Sequence, residues 1–317
     1  MAASGSVKSG HAKPRRLIQA ALPLRPFRTT MHAPAFSSHF SAVAPNYDVL
    51  LCDVWGVVHN GVAATLEACE ALRAYRAQGG AVILITNAPR PGEFVQQFID
   101  RLKVPRESYD AIVSSGDVTR SLVEERAGAR VGHIGPDRDI PIFEGLDVEV
   151  VPIENADYVV CSGLFDDTVE KPDDYKELIA RMRARRLLMI CANPDMVVER
   201  GADLVYCAGM IADLYAASGG EVVYAGKPYR PIYEQAMSAA RKVRGRIPCC
   251  VRVLAIGDSV RTDLKGATAF GIDCLFVTAG IHAEELGERE NPDSGALAAI
   301  LAEAKISPKL VMRRLVW

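Results

Sequence analysis

Val49-Leu50-Leu51-Cys52-Asp53-Val54-Trp55-Gly56-Val57-Val58-His59-Asn60-Gly61 is the stretch on which the fold turns. Its first four residues are apolar and predict a strand buried on both faces, as happens when helices cover both sides of a parallel sheet. The strand stops at an acid, Asp53. The same punctuation returns along the chain. Ala81 to Ile85 runs into Thr86-Asn87, and the weaker run Val222-Val223-Tyr224 leads to Gly226-Lys227-Pro228. Val251 to Ile256, broken only by Arg252, runs straight into Gly257-Asp258-Ser259. Helical patterns alternate with these runs: one lies around residues 66–78, and another places Tyr175, Leu178, Ile179 and Met182 on a single face. Further strand-like runs end near residues 113, 134, 161, 190 and 277. Such alternation predicts an α/β chain with a Rossmann-like, largely parallel sheet.

In an open parallel sheet the carboxyl ends of the strands converge on one crevice, where ligands bind. Asp53, Thr86, Lys227 and Asp258 each stand at or just past such an end, so residues far apart in sequence are expected to meet. Taken singly, each has a plain structural explanation as a turn former, a helix cap or a solvated lysine. Taken together, they suit phosphoryl transfer. Two adjacent carboxylates raise one another's pKa unless a cation lies between them. Mg2+ takes oxygen ligands and is commonly held by one or two carboxylates plus substrate phosphate oxygens. Lys227 can neutralise a phosphate, Thr86 and the Asn87 backbone can donate to it, and a carboxylate nucleophile divides one hard hydrolysis into two easier steps.

The order of these segments resembles the four motifs of the haloacid-dehalogenase-like hydrolases. Asp53 to Gly61 resembles the first, Ile85-Thr86-Asn87 the second, Gly226-Lys227-Pro228 the third and Gly257 to Asp263 the fourth. The long interval between Thr86 and Lys227 is similar to the inserted C2-type α/β cap of subfamily IIA phosphatases, and Ala192-Asn193-Pro194-Asp195 resembles a motif of that cap. The resemblance implies a core built from residues 41–118 and 221–317 and a cap over 119–220, and the acid-free, basic composition of 1–40 is expected to make it a disordered extension. It makes Asp53 the nucleophile and a Mg2+ ligand, with Asp258 and the Trp55 backbone carbonyl as further ligands. Thr86, Asn87 and Lys227 would bind phosphate, and Asp263 would support the metal waters or orient Lys227. The expected activity is Mg2+-dependent hydrolysis of a small phosphorylated metabolite through an aspartyl-phosphate on Asp53.

One position departs from the pattern. Phosphatases of this superfamily carry a second Asp two residues after the nucleophile, as the acid for the leaving oxygen. Trp55 stands there instead, and an indole cannot do that work. Losing a positioned general acid removes a factor of about 100 to 10,000 in rate. A substrate with a good leaving group, such as an acyl phosphate, would tolerate the loss. His59 is a candidate replacement because imidazole titrates in the right range. Two other readings are a phosphometabolite-binding protein disabled by Trp55 and a dehalogenase-like hydrolase. Substrate choice is expected from the cap loop after Ile190, where Asn193, Asp195 and Arg200 are candidates. His282 is a further ambiguous residue beyond the last strand.

Composition narrows the classes. The chain has 317 residues, 49% of them apolar and 24% charged, as in a globular enzyme. A formal net charge of −2 gives no electrostatic footprint for nucleic acid, and no apolar run reaches membrane-spanning length. No GxGxxG follows the first strand, which disfavours a nicotinamide enzyme. The eight cysteines have no CxxC spacing and read as reduced thiols in a cytoplasmic compartment. A homodimer is among the assemblies expected. No acid precedes Asp48, while Lys8, Lys13, Arg15, Arg16, Arg25 and Arg28 are basic. Organellar targeting, or a translation start at Met31, both remain open for that leader.

Overall fold

The computed structural model of the chain describes residues 36–200, 203–287 and 291–317. Its strands, in chain order, are β1 (Val49–Asp53), β2 (Ala81–Thr86), β3 (Ala111–Ser114), β4 (Arg130–Ile134), β5 (Glu149–Val150), β6 (Tyr158–Cys161) and β7 (Leu188–Cys191). They continue with β8 (Val197–Arg200), β9 (Asp203–Tyr206), β10 (Glu221–Tyr224), β11 (Val253–Gly257), β12 (Asp273–Val277) and β13 (Leu310–Met312). The first sheet has the order β13-β12-β11-β1-β2-β3 and every pairing in it is parallel. The chain thus winds outward from β1 through β2 to β3, then returns to β11 on the other side of β1. The switch point of the sheet lies between β1 and β11.

The continuous apolar runs follow from helices on both faces. Along β1, Leu50 and Cys52 enter one core with α1 (Leu66–Ala77) and α2 (Gly92–Arg101). Val49 and Leu51 point the other way, toward α6 (Arg230–Arg244), α7 (Lys265–Phe270) and α8 (Ser294–Ala304). The period-2 alternation of side chains is intact, but neither face meets water. Each large side chain buried this way contributes about 1.5–3 kcal/mol.

A second parallel sheet, ordered β10-β7-β6-β4-β5, is packed by α4 (Lys176–Arg185) and α5 (Ala208–Ala217). Helix α3 (Ser115–Glu124) joins the layers: Val118 lies in the first core and Val123 in a core of the second sheet. A small antiparallel hairpin, β8-β9, extends from this inserted layer.

Two expected boundaries need correction. Residues 221–224 were assigned to the core, yet β10 pairs with β7 as the edge of the second sheet, and the chain re-enters the first layer only after Tyr224. A short, half-buried run carries no mark of which sheet it joins. The extension assigned to 1–40 is also too long. Phe36 bridges to Val311, and Phe40 is fully buried between Tyr75 and Trp317. The basic leader and Met31 lie outside the described residues. All eight cysteines are free. Among the described residues no helix is long and apolar enough to cross a membrane.

Candidate active site

The central strand β1 delivers Asp53 to the carboxyl edge of the first sheet. Thr86 ends the neighbouring β2, and Asp258 follows β11 on the other side. Lys227 arrives from the loop between β10 and α6, and Asp263 from a π-helical turn over Val260–Leu264. All five are buried. The Lys227 Nζ donates to Asp53 Oδ1 at 2.5 Å and to Asp263 Oδ1 at 2.7 Å. One oxygen from each of Asp53, Asp258 and Asp263 lies within 4.8 Å of the others. The sequence-derived residues therefore do meet at one place.

Backbone contacts fix Asp258 and Asp263. Asp258 Oδ2 accepts the Ile281 N–H at 2.8 Å, and Asp263 Oδ2 accepts the Ser259 N–H at 3.2 Å. Two glycines make room for Asp258: a Cβ on Gly56 or on Gly280 would fall 1.9 Å from its Oδ2. Gly56 also has φ +87°, a conformation that a side chain would strain. It brings the peptide after Trp55 against Asp258, where the Trp55 carbonyl was expected to act. Gly280 and the Ile281 N–H were missed in the sequence reading. Their only local signal is a glycine three residues after the end of β12.

Two carboxylates, Asp53 and Asp263, share one ammonium here, with Asp258 close by. Burial acts to lower the Lys227 pKa, but Asp263 and Asp53 outweigh it and hold the ammonium well above its ordinary value. Burial, then Asp263, pushes Asp53 above the usual carboxylate range, and Asp258 is pushed up to about 7 by burial and then by Asp263. An all-oxygen donor set of this kind fits a hard divalent cation such as Mg2+.

Other candidates have been given different work. The Asn87 side chain clamps the Lys227 backbone, accepting its N–H at 2.7 Å and donating to its C=O at 3.1 Å, and also donates to Asp195 Oδ1 at 2.9 Å. Its amide is therefore committed within the protein. Thr86 Oγ1 accepts the Ala88 N–H at 3.2 Å and lines the crevice. His59 Nδ1 accepts the Gly61 N–H at 2.9 Å, and burial lowers its pKa to about 4. A neutral imidazole with that protonation pattern is no general acid near pH 7, so the structure does not support His59 as the replacement for the missing Asp. Arg200, expected to meet a second anionic group of the substrate, instead pairs with Asp167 at 2.8 Å, beside Arg138. Asn193 Oδ1 accepts the Asp195 N–H at 3.1 Å and shapes the cap loop. His282 Nε2 accepts the Val260 N–H at 3.2 Å and braces the π-helical turn.

Trp55 stacks on Phe98, with centroids 6.3 Å apart and planes 8° from parallel, and meets His59 edge-on. Its Nε1 is buried without an acceptor among the described residues. The indole helps wall two adjoining cavities. One, of about 190 Å³, holds Asp53, Thr86, Lys227 and Asp258. The other, of about 350 Å³, lies between Trp55, Phe94 and Phe98 and the inserted layer's Asp167, Asn193 and Arg200.

Comparison with known proteins agrees with this architecture. A family model described as haloacid dehalogenase-like hydrolase matches residues 50–149, and a related HAD-hydrolase-like model matches residues 224–304. A haloacid dehalogenase-like hydrolase from Brucella suis superposes with a TM-score of 0.79 at 44% identity, covering 89% of this chain and 100% of that one. The chain belongs to the haloacid dehalogenase-like hydrolases. It is 25% identical to the 5'-nucleotidase YutF of Bacillus subtilis over 75% of this chain and 90% of that protein. The fold is also that of a Mycobacterium tuberculosis glycerol phosphate phosphatase crystallised in complex with magnesium. That TM-score is 0.58 at 24% identity, over 78% of this chain and 71% of that one.

Proposed function

We propose that the chain is a Mg2+-dependent phosphatase that hydrolyses a small phosphorylated metabolite through an aspartyl-phosphate on Asp53. The observation that carries this reading is the buried cluster of Asp53, Lys227, Asp258 and Asp263, with Thr86 beside it, at the switch point of the sheet. The small cavity takes the phosphoryl group and the larger one takes the rest of the substrate. Asp53 attacks phosphorus. Lys227 orients that carboxylate and, with the Thr86 hydroxyl, neutralises the phosphate oxygens. Asp263 holds Lys227 in place. Asp53, Asp258 and the Trp55 carbonyl would hold the Mg2+, which supplies charge stabilisation to the phosphoryl oxygens. The aromatic wall excludes water and favours a substrate with an apolar portion. The magnesium-bound mycobacterial phosphatase and the nucleotidase relative support the phosphate-ester reading.

A screen of phosphorylated metabolites and acyl phosphates with added Mg2+ tests it. Phosphate release is expected, abolished by EDTA and by Asp53→Asn. Turnover that persists in Asp53→Asn, or without metal, would remove the phosphatase and favour dehalogenase-like chemistry. Tight phosphate-ester binding without any turnover would identify a binding protein.

A further inference from the structure

Resting on the phosphatase reading, we propose that Asp195, from the inserted layer, carries the proton that the residue at Trp55 cannot: it protonates the leaving oxygen and then accepts the proton of the attacking water.

The placement is the first argument. Among the described residues, five line both cavities: Trp55, His59, Thr86, Asp195 and Val198. If phosphate fills one cavity and the organic group the other, the scissile P–O bond lies at this junction. In-line attack also requires the leaving oxygen to lie on the far side of phosphorus from Asp53. Of the five, only His59 and Asp195 can titrate near neutral pH, and His59 is held neutral with Nδ1 already accepting the Gly61 N–H. Asp195 is the one carboxylic acid at the junction.

The second argument is preorganisation. Asp195 Oδ1 accepts from the Asn87 amide, and the Asp195 N–H donates to Asn193. Its C=O accepts the Gly209 N–H at 3.1 Å, a close approach that a Cβ on Gly209 would obstruct at 2.4 Å. Asp195 Oδ2 accepts no hydrogen bond from the protein among the described residues, yet is not sealed off as a buried orphan. That oxygen is the one free to hold a proton. Asn87 ties Asp195 to the same backbone that places Lys227, so the acid and the lysine that orients the nucleophile are positioned from one residue.

The environment suits the task. Burial raises the Asp195 pKa to about 6, against Lys227 and the Asn87 bond and with help from Asp263. Cys207 and Asp258 feel its charge. A phosphate dianion in the small cavity adds a further upward push, and a bound Mg2+ would oppose it.

The steps balance. Asp53 oxygen bonds to phosphorus as the P–O(leaving) bond breaks, and the Asp195 proton passes to that oxygen, releasing an alcohol. Asp195, now a carboxylate, takes a proton from water as the water oxygen attacks phosphorus and the Asp53–phosphorus bond breaks. Inorganic phosphate leaves and Asp195 is again protonated.

The test compares the wild-type protein, Asp195→Asn and Asp53→Asn with Mg2+ on phenyl, 4-nitrophenyl and 2,4-dinitrophenyl phosphate. These esters share a shape and differ in how much their leaving oxygen needs a proton. Asp195→Asn is expected to lose about 100- to 10,000-fold in kcat/KM on phenyl phosphate, and less than about 10-fold in kcat/KM on the dinitrophenyl ester, because kcat/KM reports the step that expels the leaving group. The fall of kcat/KM at rising pH should vanish with it. The ratio between esters is taken on one preparation, so it does not depend on the folded fraction. Equal losses of kcat/KM on all three esters with the pH limb intact would overturn the proton role, while an inactive Asp53→Asn would leave the phosphatase standing. No phosphate release by the wild type, or full release by Asp53→Asn, would remove both.

Discussion

Asn87→Ala is the substitution whose cost the structure defines most closely. Asn87 is 3% exposed and Lys227 2% exposed. Truncation removes three hydrogen bonds, two of them to the Lys227 backbone and one to Asp195. The Lys227 N–H and C=O would stay buried, and each unsatisfied group costs about 1–3 kcal/mol. A water entering the vacated space would recover part of that, so a loss of about 2–4 kcal/mol is expected. This is a large share of the about 5–15 kcal/mol that holds a typical domain. Urea denaturation should show the loss as a lower midpoint with an unchanged slope. Activity should suffer separately, because a displacement of about 1 Å in the Lys227 ammonium can cost about 100-fold in rate. A variant that loses less than about 1 kcal/mol and keeps its phosphate release would refute the clamp, and with it the claim that Asn87 acts through its side chain rather than its backbone.

Gly280→Ala places a methyl carbon 1.9 Å from Asp258 Oδ2. We expect about 1–3 kcal/mol of destabilisation from overpacking, and about 10- to 100-fold weaker Mg2+ activation. An unchanged Mg2+ titration of phosphatase activity would show that Asp258 is not positioned from this side. His59 gives a pH signature. Its folded pKa, about 4, lies below its unfolded value, so between about pH 6.5 and 4 the unfolded chain binds the extra proton. Stability should therefore fall as pH drops through that window, by on the order of 3 kcal/mol in full. His59→Gln should flatten that part of the profile in urea melts at stepped pH. An identical slope in both proteins would mean that the imidazole is not held neutral.

The sequence by itself determined the fold class and the chemical cluster. Strands β1, β2 and β11 of the first sheet are buried on both faces, so each reads as an unbroken apolar run, and Asp53, Thr86 and Asp258 stand where such a run stops. Because parallel strands all end on one edge, that punctuation fixes which residues meet, without any knowledge of their distances. Asp53, Thr86 and Asp258 were legible for this reason, whereas Lys227, which follows a strand of the second sheet, was legible through the Gly226-Lys227-Pro228 segment. Trp55 was legible as a departure, though not what the departure implied.

Tertiary structure alone decided how the polar groups divide their labour. Arg200 looked available for substrate in the sequence, and folding paired it with Asp167 about thirty residues away, while the Asn87 side chain, whose backbone alone was expected to meet phosphate, was tied to Lys227 more than a hundred residues away. His59 looked titratable, until burial and the Gly61 N–H held it neutral. Asp195 was one of several acids in a cap loop, and only the junction of two cavities distinguishes it. Sheet membership of β10 was settled by backbone pairing that its side chains do not encode. The physical reason is common to all of these. Burial pattern is a local property of a strand, whereas hydrogen-bond partners, desolvation and cavity walls depend on which distant segments pack together.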